Sequence, residues 1–289
     1  MSWTIGVDVG GTFTDFYAAH DETGIHHVYK TSSTPSNPAD AILTGLDAMC
    51  DKFGIPKNDI KRVSHGTTVG TNALIQRTGG RVALVTTKGF RDLLEIGRQT
   101  RPHMYDLQKD YPAPLVDREY RIELNERIGA AGEIVRAPSA EDIDIAIDAV
   151  INAGADACAI GFVFSFRNDE HEQQFANALR KRAPGIAISV SSEVQPEFRE
   201  YERLSTTVLN AYLQPVMWHY LETLEAGIAI RAPNASLGIN QSSGGLMSVR
   251  RSREFPVRTA LSGPAAGAVG AAHAARQTKR NKIITLDMG

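Results

Sequence analysis

The first candidate site is a short glycine turn after the first apolar segment. Its residues are Asp8, Gly10, Gly11, Thr12, Phe13, Thr14 and Asp15. A glycine turn exposes consecutive backbone N–H groups that bind anions, and threonine hydroxyls add donors. An aspartate at a strand end is a ligand for hydrated Mg²⁺, which neutralises phosphate charge. The alternative is an ordinary Gly-Gly hairpin. We predict a phosphate-binding turn in which Asp8 is the metal ligand and a catalytic residue; no Gly-Lys-Ser/Thr follows, so it is not a Walker A loop.

A second candidate site lies where a short strand leads into a helix. Its residues are His65, Gly66, Thr67, Thr68 and Asn72. Backbone N–H groups at a helix N-terminus attract phosphate or a developing oxyanion. We therefore predict a substrate-binding turn. Two roles stay open for His65: it carries a proton or donates to substrate, or it is hydrogen-bonded and orients the turn.

A third candidate is the polar segment 95–102, which contains Arg98, Gln99 and Arg101. Arginine recognises carboxylate or phosphate with two parallel hydrogen bonds. We predict Arg98 as a catalytic residue and Gln99 and Arg101 as substrate-binding residues. A solvated loop with local ion pairs is the alternative.

Two small-residue segments are predicted to contact a nucleotide. They are Ser243, Gly244 and Gly245 after a strand, and Ser262, Gly263 and Pro264 in a loop that enters a helix. Pro264 suits the first helical position. Close packing of backbone against backbone is the alternative for the second segment. The histidines show no metal-ligand spacing.

Hydrophobic periodicity predicts an α/β protein in which strands alternate with helices. Predicted strands cover residues 3–9, 13–19, 25–31, 62–64, 82–86, 157–164, 186–191, 236–240 and 282–286. Predicted helices cover residues 38–53, 68–77, 139–153, 169–182 and 197–224, the last kinked near Pro215. Short glycine turns make the first three strands an antiparallel meander, and the later alternation indicates a largely parallel region. We interpret residues 100–138 as an inserted loop or subdomain boundary.

Composition excludes several classes of protein. The 289 residues carry a net charge of −2 and are 42% hydrophobic, which argues against bulk binding to nucleic acid and provides for a real core. No apolar run reaches the length of a membrane span, and Asp8 falls where a signal peptide needs apolar residues. Cys50 and Cys158 are expected to be buried, reduced thiols. We predict a cytoplasmic protein that binds neither nucleic acid nor membrane.

The C-terminal segment repeats the pattern of the N-terminus. An apolar run over residues 282–286 leads into Asp287-Met288-Gly289, as the first strand leads into Asp8-Val9-Gly10. An apolar strand that enters a glycine turn needs a continuation to cover it. We therefore expect the chain to be the N-terminal portion of a longer protein, inactive on its own.

The chain resembles the hydantoinase A/oxoprolinase family of the actin-like ATPase superfamily, which is related to acetone and acetophenone carboxylase subunits. The segments that carry the resemblance are residues 6–15, 65–68, 71–74, 89–92, 95–99, 101–102, 200–203, 205–212, 243–245, 262–267 and 287–289. The resemblance implies an actin-like (ribonuclease H-like) ATPase half with a mixed sheet, flanking helices and an inserted subdomain. It also implies an N-terminal domain over residues 1–190 and the beginning of a catalytic domain over residues 191–289.

The resemblance implies ATP and Mg²⁺ as cofactors, with Asp8 to Thr14 as the first phosphate loop and Asp287 with Gly289 as the start of the second. The implied reaction opens a cyclic amide (hydantoin, 5-oxoproline or a lactam) after phosphorylation of its carbonyl oxygen. The implied partner is a hydantoinase B-type subunit or domain in an oligomer. The alternatives are an ATP-dependent ketone carboxylase subunit and a non-catalytic actin-like nucleotide-binding module. A sugar kinase is less favoured, because two distant cysteines cannot form the zinc loop of the repressor/kinase group.

Overall fold

The computed structural model describes residues 2–34, 37–106, 108–278, 280 and 282–286. The strands are β1 (Trp3–Val9), β2 (Phe13–His20), β3 (His26–Ser32), β4 (Ile60–Gly66), β5 (Val82–Thr87), β6 (Arg121–Leu124), β7 (Arg127–Ile128), β8 (Ile134–Arg136), β9 (Ala157–Gly161), β10 (Ala187–Val190), β11 (Ser236–Asn240) and β12 (Leu246–Ser248). The helices are α1 (Pro38–Phe53), α2 (Val69–Gln76), α3 (Leu93–Ile96), α4 (Ala140–Asn152), α5 (Glu170–Arg182), α6 (Ser191–Val194), α7 (Glu200–Arg231), α8 (Val249–Glu254) and α9 (Ser262–Gln277). Unit 1 comprises Met1–Thr78 with Val216–Gly289, and unit 2 comprises Gly79–Pro215.

Unit 1 is built on a mixed sheet with strand order β12-β11-β4-β1-β2-β3. The first three strands form the predicted antiparallel meander. Strand β4 runs parallel to β1 on one side and to β11 on the other. Because parallel strands end at the same edge of a sheet, the segments that follow β1, β4 and β11 are neighbours, and ligands bind at such edges in open α/β sheets.

Helix α1 packs against this meander and begins and ends as predicted. Pro38 occupies its first turn, and Gly54 ends it in the left-handed conformation at φ 65°. The helix approaches the sheet closely at Gly45, where a Cβ would lie 2.5 Å from the Phe16 ring. Glycine at this position therefore lets the helix lie directly on the aromatic ring.

Unit 2 is built on a parallel sheet with strand order β10-β9-β5-β6, which confirms the predicted parallel region. Helices α4 and α5 contribute to its core, which includes Val85, Ile147, Ile160, Phe175 and Leu179. The predicted start of α4 is confirmed by a capping box, in which the Asp142 N–H donates to Ser139 Oγ at 3.0 Å. Cys50 and Cys158 are buried free thiols, as predicted.

Two predictions about unit 2 were wrong. Strand β9 ends at Gly161 instead of residue 164, because the chain turns there and Phe164 adopts a positive φ of 60°. Residues 100–138 are not only a loop, since β6 pairs with β5 in the sheet. Helix α2, in unit 1, ends at Gln76, within one residue of its predicted end, because Arg77 takes the left-handed conformation before the glycines are reached.

Two predictions near the C-terminus were also wrong. Residues 282–286 form no strand, and the side chains of Ile284 and Leu286 are 99% and 90% exposed. Ser262, Gly263 and Pro264 do not form a loop before a helix, because α9 already begins at Ser262 and Pro264 is its third residue. A proline fits there because the N–H groups of the first turn have no partner within the helix. Asp287 and Gly289 lie outside the described residues.

Candidate active site

Three residues from neighbouring strands lie close together at the carboxyl edge of the unit 1 sheet. Asp8 on β1 is in register with Gly66 on β4, and β11 ends beside them at Asn240. A Cβ on Gly66 would lie 3.2 Å from Asp8 Oδ1 and 3.4 Å from Asn240 Nδ2. Glycine at position 66 thus leaves open the space between an acidic oxygen and an amide nitrogen.

The surroundings of Asp8 disfavour the charged form of its carboxyl group. Its cross-strand partner is Asp15, whose carboxylate lies 3.1 Å from Lys30 Nζ. Partial burial and, secondarily, the charge of Asp15 raise the pKa of Asp8 above its ordinary value. Among the described residues no lysine or arginine forms an ion pair with Asp8. A cation or a hydrogen-bond donor from a ligand would relieve this repulsion.

The glycine turn after β1 is held by its own backbone and by Ser33. The Gly10 N–H donates to Phe13 O at 2.9 Å, and the Ser33 hydroxyl donates to Gly10 O at 2.8 Å. The exposed N–H groups of Gly11 and Thr12 have no acceptor among the described residues. These two amides are therefore available for an anion.

Unlike the two amides, the next three side chains of the turn already have contacts within the protein. They are Phe13, Thr14 and Asp15. Thr14 is fully buried, with its hydroxyl 3.0 Å from Ser33 Oγ, so it fixes the turn instead of facing a ligand. Phe13 is half exposed, and Lys30 Nζ lies 4.9 Å from its ring centroid. The ion pair with Lys30 likewise occupies Asp15.

His65 is fully buried, and protein atoms accompany both nitrogens of its ring. Nδ1 lies 3.4 Å from Val7 O, and Nε2 lies 2.5 Å from the phenol oxygen of Tyr220. A carbonyl oxygen only accepts, so Nδ1 carries the proton and Nε2 accepts from the Tyr220 hydroxyl. Burial lowers the pKa of His65 to about 4. A neutral, enclosed imidazole does not fit the proton-carrier role, and the structure favours the orienting role for His65.

The hydrogen bonds of His65 extend into the turn that opens α2. The Thr67 hydroxyl hydrogen-bonds to Tyr220, and Thr67 Oγ1 accepts the Val69 N–H at 3.2 Å. Thr67 and Tyr220 are themselves buried. This chain of hydrogen bonds fixes the turn over residues 66–69 on its buried side, while Thr68 remains partly exposed.

The start of α2 meets the start of α9 in the same unit. Thr71 Oγ1 accepts the Leu261 N–H at 3.2 Å, and α9 packs against β4 and β11. The hydroxyl of Ser262 is buried without a hydrogen-bond partner in the described structure. Asn72 is exposed, with Nδ2 3.5 Å from Thr68 Oγ1. The structure thus brings the start of α9 to the turn that contains Thr68.

The loop after β11 also lies at this edge. Its glycines, Gly244 and Gly245, have positive φ values of 85° and 79°, which allow the tight connection to β12. The Ser242 N–H donates to Arg258 O at 2.8 Å, whereas the side chain of Ser243 is exposed. Of the two segments predicted to contact a nucleotide, this loop is the one whose tip is polar and exposed.

The predicted arginine segment belongs to unit 2. Glu95 and Ile96 end helix α3, and Gly97 begins the loop that contains Arg98, Gln99 and Arg101. Arg98 Nε and Nη2 both lie 2.5 Å from Glu202 Oε1 on α7. Gln99 and Arg101 are exposed. Arg98 therefore forms a local ion pair in this structure, in agreement with the alternative interpretation of this segment.

Sequence reasoning missed two residues of the site. Asn240 is the last residue of a predicted strand at the carboxyl edge, and a polar residue there was the available signal. Tyr220 lies in a long helix 155 positions from His65, and no local pattern indicates that they pair.

The donor set at this edge fits a phosphate with its Mg²⁺. Mg²⁺ is held in proteins by one or two carboxylates together with water and phosphate oxygens, and Asp8 is such a carboxylate without a protein cation. No group of three or more metal-binding side chains occurs among the described residues. Free amides at Gly11 and Thr12 complement phosphate charge.

The mixed sheet, its flanking helices and this polar edge define an α/β protein with a candidate anion site. The sequence matches two family models, one described as the hydantoinase/oxoprolinase N-terminal region over residues 4–183 and one described as hydantoinase/oxoprolinase over residues 203–289. The chain belongs to the hydantoinase/oxoprolinase family.

Named relatives agree with this membership. The caprolactamase subunit alpha of Pseudomonas jessenii is 37% identical over 100% of the chain and 42% of the relative. The crystal structure of the ATP-dependent caprolactamase from that organism matches with a TM-score of 0.87 over 99% of this chain and 42% of that one. The acetophenone carboxylase gamma subunit of Aromatoleum aromaticum is 30% identical over 99% of the chain and 41% of the relative. 5-Oxoprolinase 1 of Arabidopsis thaliana is 32% identical over 98% of the chain and 24% of the relative.

The chain therefore spans less than half the length of these relatives. In the described part of the chain, no helix combines the length and apolar character needed to cross a bilayer.

Proposed function

We propose that this chain is the nucleotide-binding part of an ATP-dependent enzyme that opens a cyclic amide. The observation that carries the proposal is the convergence of Asp8 and Asn240 over Gly66, beside the free amides of Gly11 and Thr12. The similarity to a caprolactamase subunit and to 5-oxoprolinases supports the choice of a lactam or related ring as substrate.

Each group at this edge has a proposed role toward ATP. The amides of Gly11 and Thr12 donate to phosphate oxygens, and the starts of α2 and α9 add positive helix ends. Asp8 would hold Mg²⁺ through its water ligands, and the bound ion would neutralise phosphate charge. His65 and Tyr220 keep the turn over residues 66–69 in place and do not touch the reacting atoms.

The proposed chemistry overcomes the poor reactivity of an amide. The γ-phosphoryl group of ATP passes to the carbonyl oxygen of the ring, and ADP leaves. Water then adds to the activated carbon, and the ring C–N bond breaks to release the amine and leave an acyl phosphate. A second water hydrolyses the acyl phosphate to the carboxylate and inorganic phosphate. Phosphoryl transfer of this kind depends on positioning and charge neutralisation, which a preorganised turn supplies.

We further propose the finer assignments that the resemblance implies. The meander followed by parallel strands supports an actin-like ATPase half. The family-model matches over residues 4–183 and 203–289 support an N-terminal domain over residues 1–190 and a second domain over residues 191–289. The subunit names of two relatives support an assembly with a hydantoinase B-type partner. Two buried free cysteines support a cytoplasmic location.

A ketone carboxylase is the second candidate function, and the 30% identity to an acetophenone carboxylase subunit favours it. Both reactions use the same phosphorylating half. The test is ADP release by the assembled enzyme, meaning this chain with its proposed partner, for hydantoin, 5-oxoproline, ε-caprolactam and acetone, each with and without bicarbonate. Ring-dependent release without bicarbonate supports the proposed function, and ketone-dependent release that requires bicarbonate supports the carboxylase. ADP release that no compound stimulates would indicate a non-catalytic module.

A further inference from the structure

Unit 2 contains a cavity of about 820 Å³ that is separate from the residues discussed for ATP. Three segments line it: residues 94–100, residues 110–115 and the first turns of α7. This volume lies in the range of small-molecule sites, which is roughly 300–1,000 Å³. The cavity is large enough for a single ring with substituents.

The lining combines apolar walls with a few hydroxyl groups. Leu94, Leu115 and Leu209 contribute apolar surface, and Tyr111 and Tyr201 contribute aromatic rings. At one side, Thr100 Oγ1 lies 2.7 Å from the Tyr111 hydroxyl oxygen. Hydroxyl groups both donate and accept, so they match the one N–H and one carbonyl oxygen of a cyclic amide.

The charges around the cavity do not favour an anionic ligand. Its charged lining residues are Glu95, Arg98 and Asp110. Arg98, the cation among these, is already bound to Glu202, and Glu95 is bound to Arg121 with Oε2 and Nη1 2.9 Å apart. A backbone hydrogen bond and the contact with Arg98 lower the pKa of Glu202, so this partner is ionised at neutral pH.

A carboxylate in this cavity would therefore meet two obstacles. Its own charge would be repelled by Asp110, and the positive charge of Arg98 is already neutralised by Glu202, which binds its Nε and Nη2. An uncharged ring meets neither obstacle. Repulsion and an occupied partner are the usual means by which a site rejects a ligand of similar shape.

We propose that this cavity binds an uncharged cyclic amide, and that Glu202 excludes rings bearing a carboxylate by holding Arg98. The reaction that follows binding rests on the proposed function. The selectivity for charge is a property of the cavity and is measured without ATP.

The test compares two rings that differ in charge and little else, 5-oxoproline and its uncharged amide, 5-oxoprolinamide. Both are titrated into the 289-residue chain at pH 7.5, with binding followed by ligand-observed NMR. We expect the uncharged ring to bind at least about tenfold more tightly. In Glu202→Gln, where Arg98 loses its ionic partner, the affinity for 5-oxoproline is expected to rise about tenfold while that for 5-oxoprolinamide stays within about threefold.

The matched control is Asp148→Asn. It removes a carboxylate that lies 2.5 Å from Arg182 Nη2 in the same unit but does not line the cavity. This variant should leave both affinities unchanged. Equal or tighter binding of 5-oxoproline to the wild-type chain, no response to Glu202→Gln, or no binding of either ring overturns the inference.

Failure of this inference is distinguishable from failure of the proposed function. A preference for 5-oxoproline overturns the selectivity but leaves ATP-dependent ring opening intact. Conversely, an assembled enzyme whose ADP release responds to no cyclic amide contradicts the proposed function, whatever the titration shows.

Discussion

His65 Nε2 lies 2.5 Å from the phenol oxygen of Tyr220, which is 155 positions away in the chain. The contact joins the end of β4 to α7 inside unit 1, and the hydrogen bonds continue through Thr67 to the first turn of α2. All three side chains are buried. The position of the turn over residues 66–69 therefore depends on Tyr220, a buried residue on a distant helix.

Replacing Tyr220 with Phe should destabilise unit 1. The change removes the hydroxyl that donates to His65 and accepts from Thr67. It leaves His65 Nε2 buried without a partner, and Thr67 keeps only its bond from the Val69 N–H. The expected loss in free energy of unfolding is about 1–3 kcal/mol. Urea unfolding at pH 7 measures it, with Tyr105→Phe as a control because Tyr105 is 92% exposed. A loss no larger than that of the control would show that this contact does not stabilise the fold.

Stability should fall as the pH is lowered from about 6.5 to about 4. His65 has a pKa of about 4 in the folded chain, below the ordinary value of 6.5, so the unfolded chain binds the proton first. Linkage then makes the free energy of unfolding rise with pH across this window, by a total on the order of 3 kcal/mol. The measurement is urea unfolding at pH 7, 5.5 and 4.5 for wild type and His65→Gln. Identical pH dependence in the two proteins would contradict the burial of a neutral His65.

Sequence patterns predicted much of the fold because their signals are local. The Ser139–Asp142 capping box and Gly54 at the end of α1 each act within a few residues, and both are confirmed. The glycine turn that joins β1 to β2 is local in the same way. Sequence signals of this kind can be recognised without any knowledge of tertiary contacts.

The remaining features depend on contacts between distant parts of the chain. His65 pairs with Tyr220 on α7, and the pairing of β6 with β5 places part of a polar segment in a sheet. The helical start at Ser262 follows a left-handed Leu261, whose N–H is bound by Thr71. A local sequence pattern does not reveal these distant partners. The structure was therefore needed to choose between the alternative roles of His65 and of Arg98.

Gly66→Ala should weaken nucleotide binding more than it weakens the fold. The added Cβ would lie 3.2 Å from Asp8 Oδ1 and would occupy the space kept open at the sheet edge. We expect a loss of affinity for Mg-ATP of at least about tenfold, measured by calorimetry. Gly185→Ala is the control, because a Cβ there meets nothing within 4 Å. Unchanged affinity in Gly66→Ala would place the nucleotide elsewhere.

Asp8→Asn tests the carboxylate without changing its size. Loss of the charge should lower ADP release by the assembled enzyme about 100-fold, close to 2.7 kcal/mol of transition-state stabilisation. The fold should survive, because the side chain of Asp8 is only partly buried, forms no ion pair among the described residues and is replaced by one of equal size. Asp51→Asn, an exposed position on α1, is the control. ADP release within about threefold of wild type, with an unchanged circular dichroism spectrum, would remove Asp8 from the proposed site.

The most direct measurement of the central claim is ADP release by the assembled enzyme when it is given a cyclic amide in bicarbonate-free buffer. We expect that hydantoin, a lactam or 5-oxoproline stimulates ADP release, that the ring-opened product appears with it, and that Asp8→Asn lowers both about 100-fold. Stimulation by a ketone alone, with strict dependence on bicarbonate and no response to any cyclic amide, would contradict it.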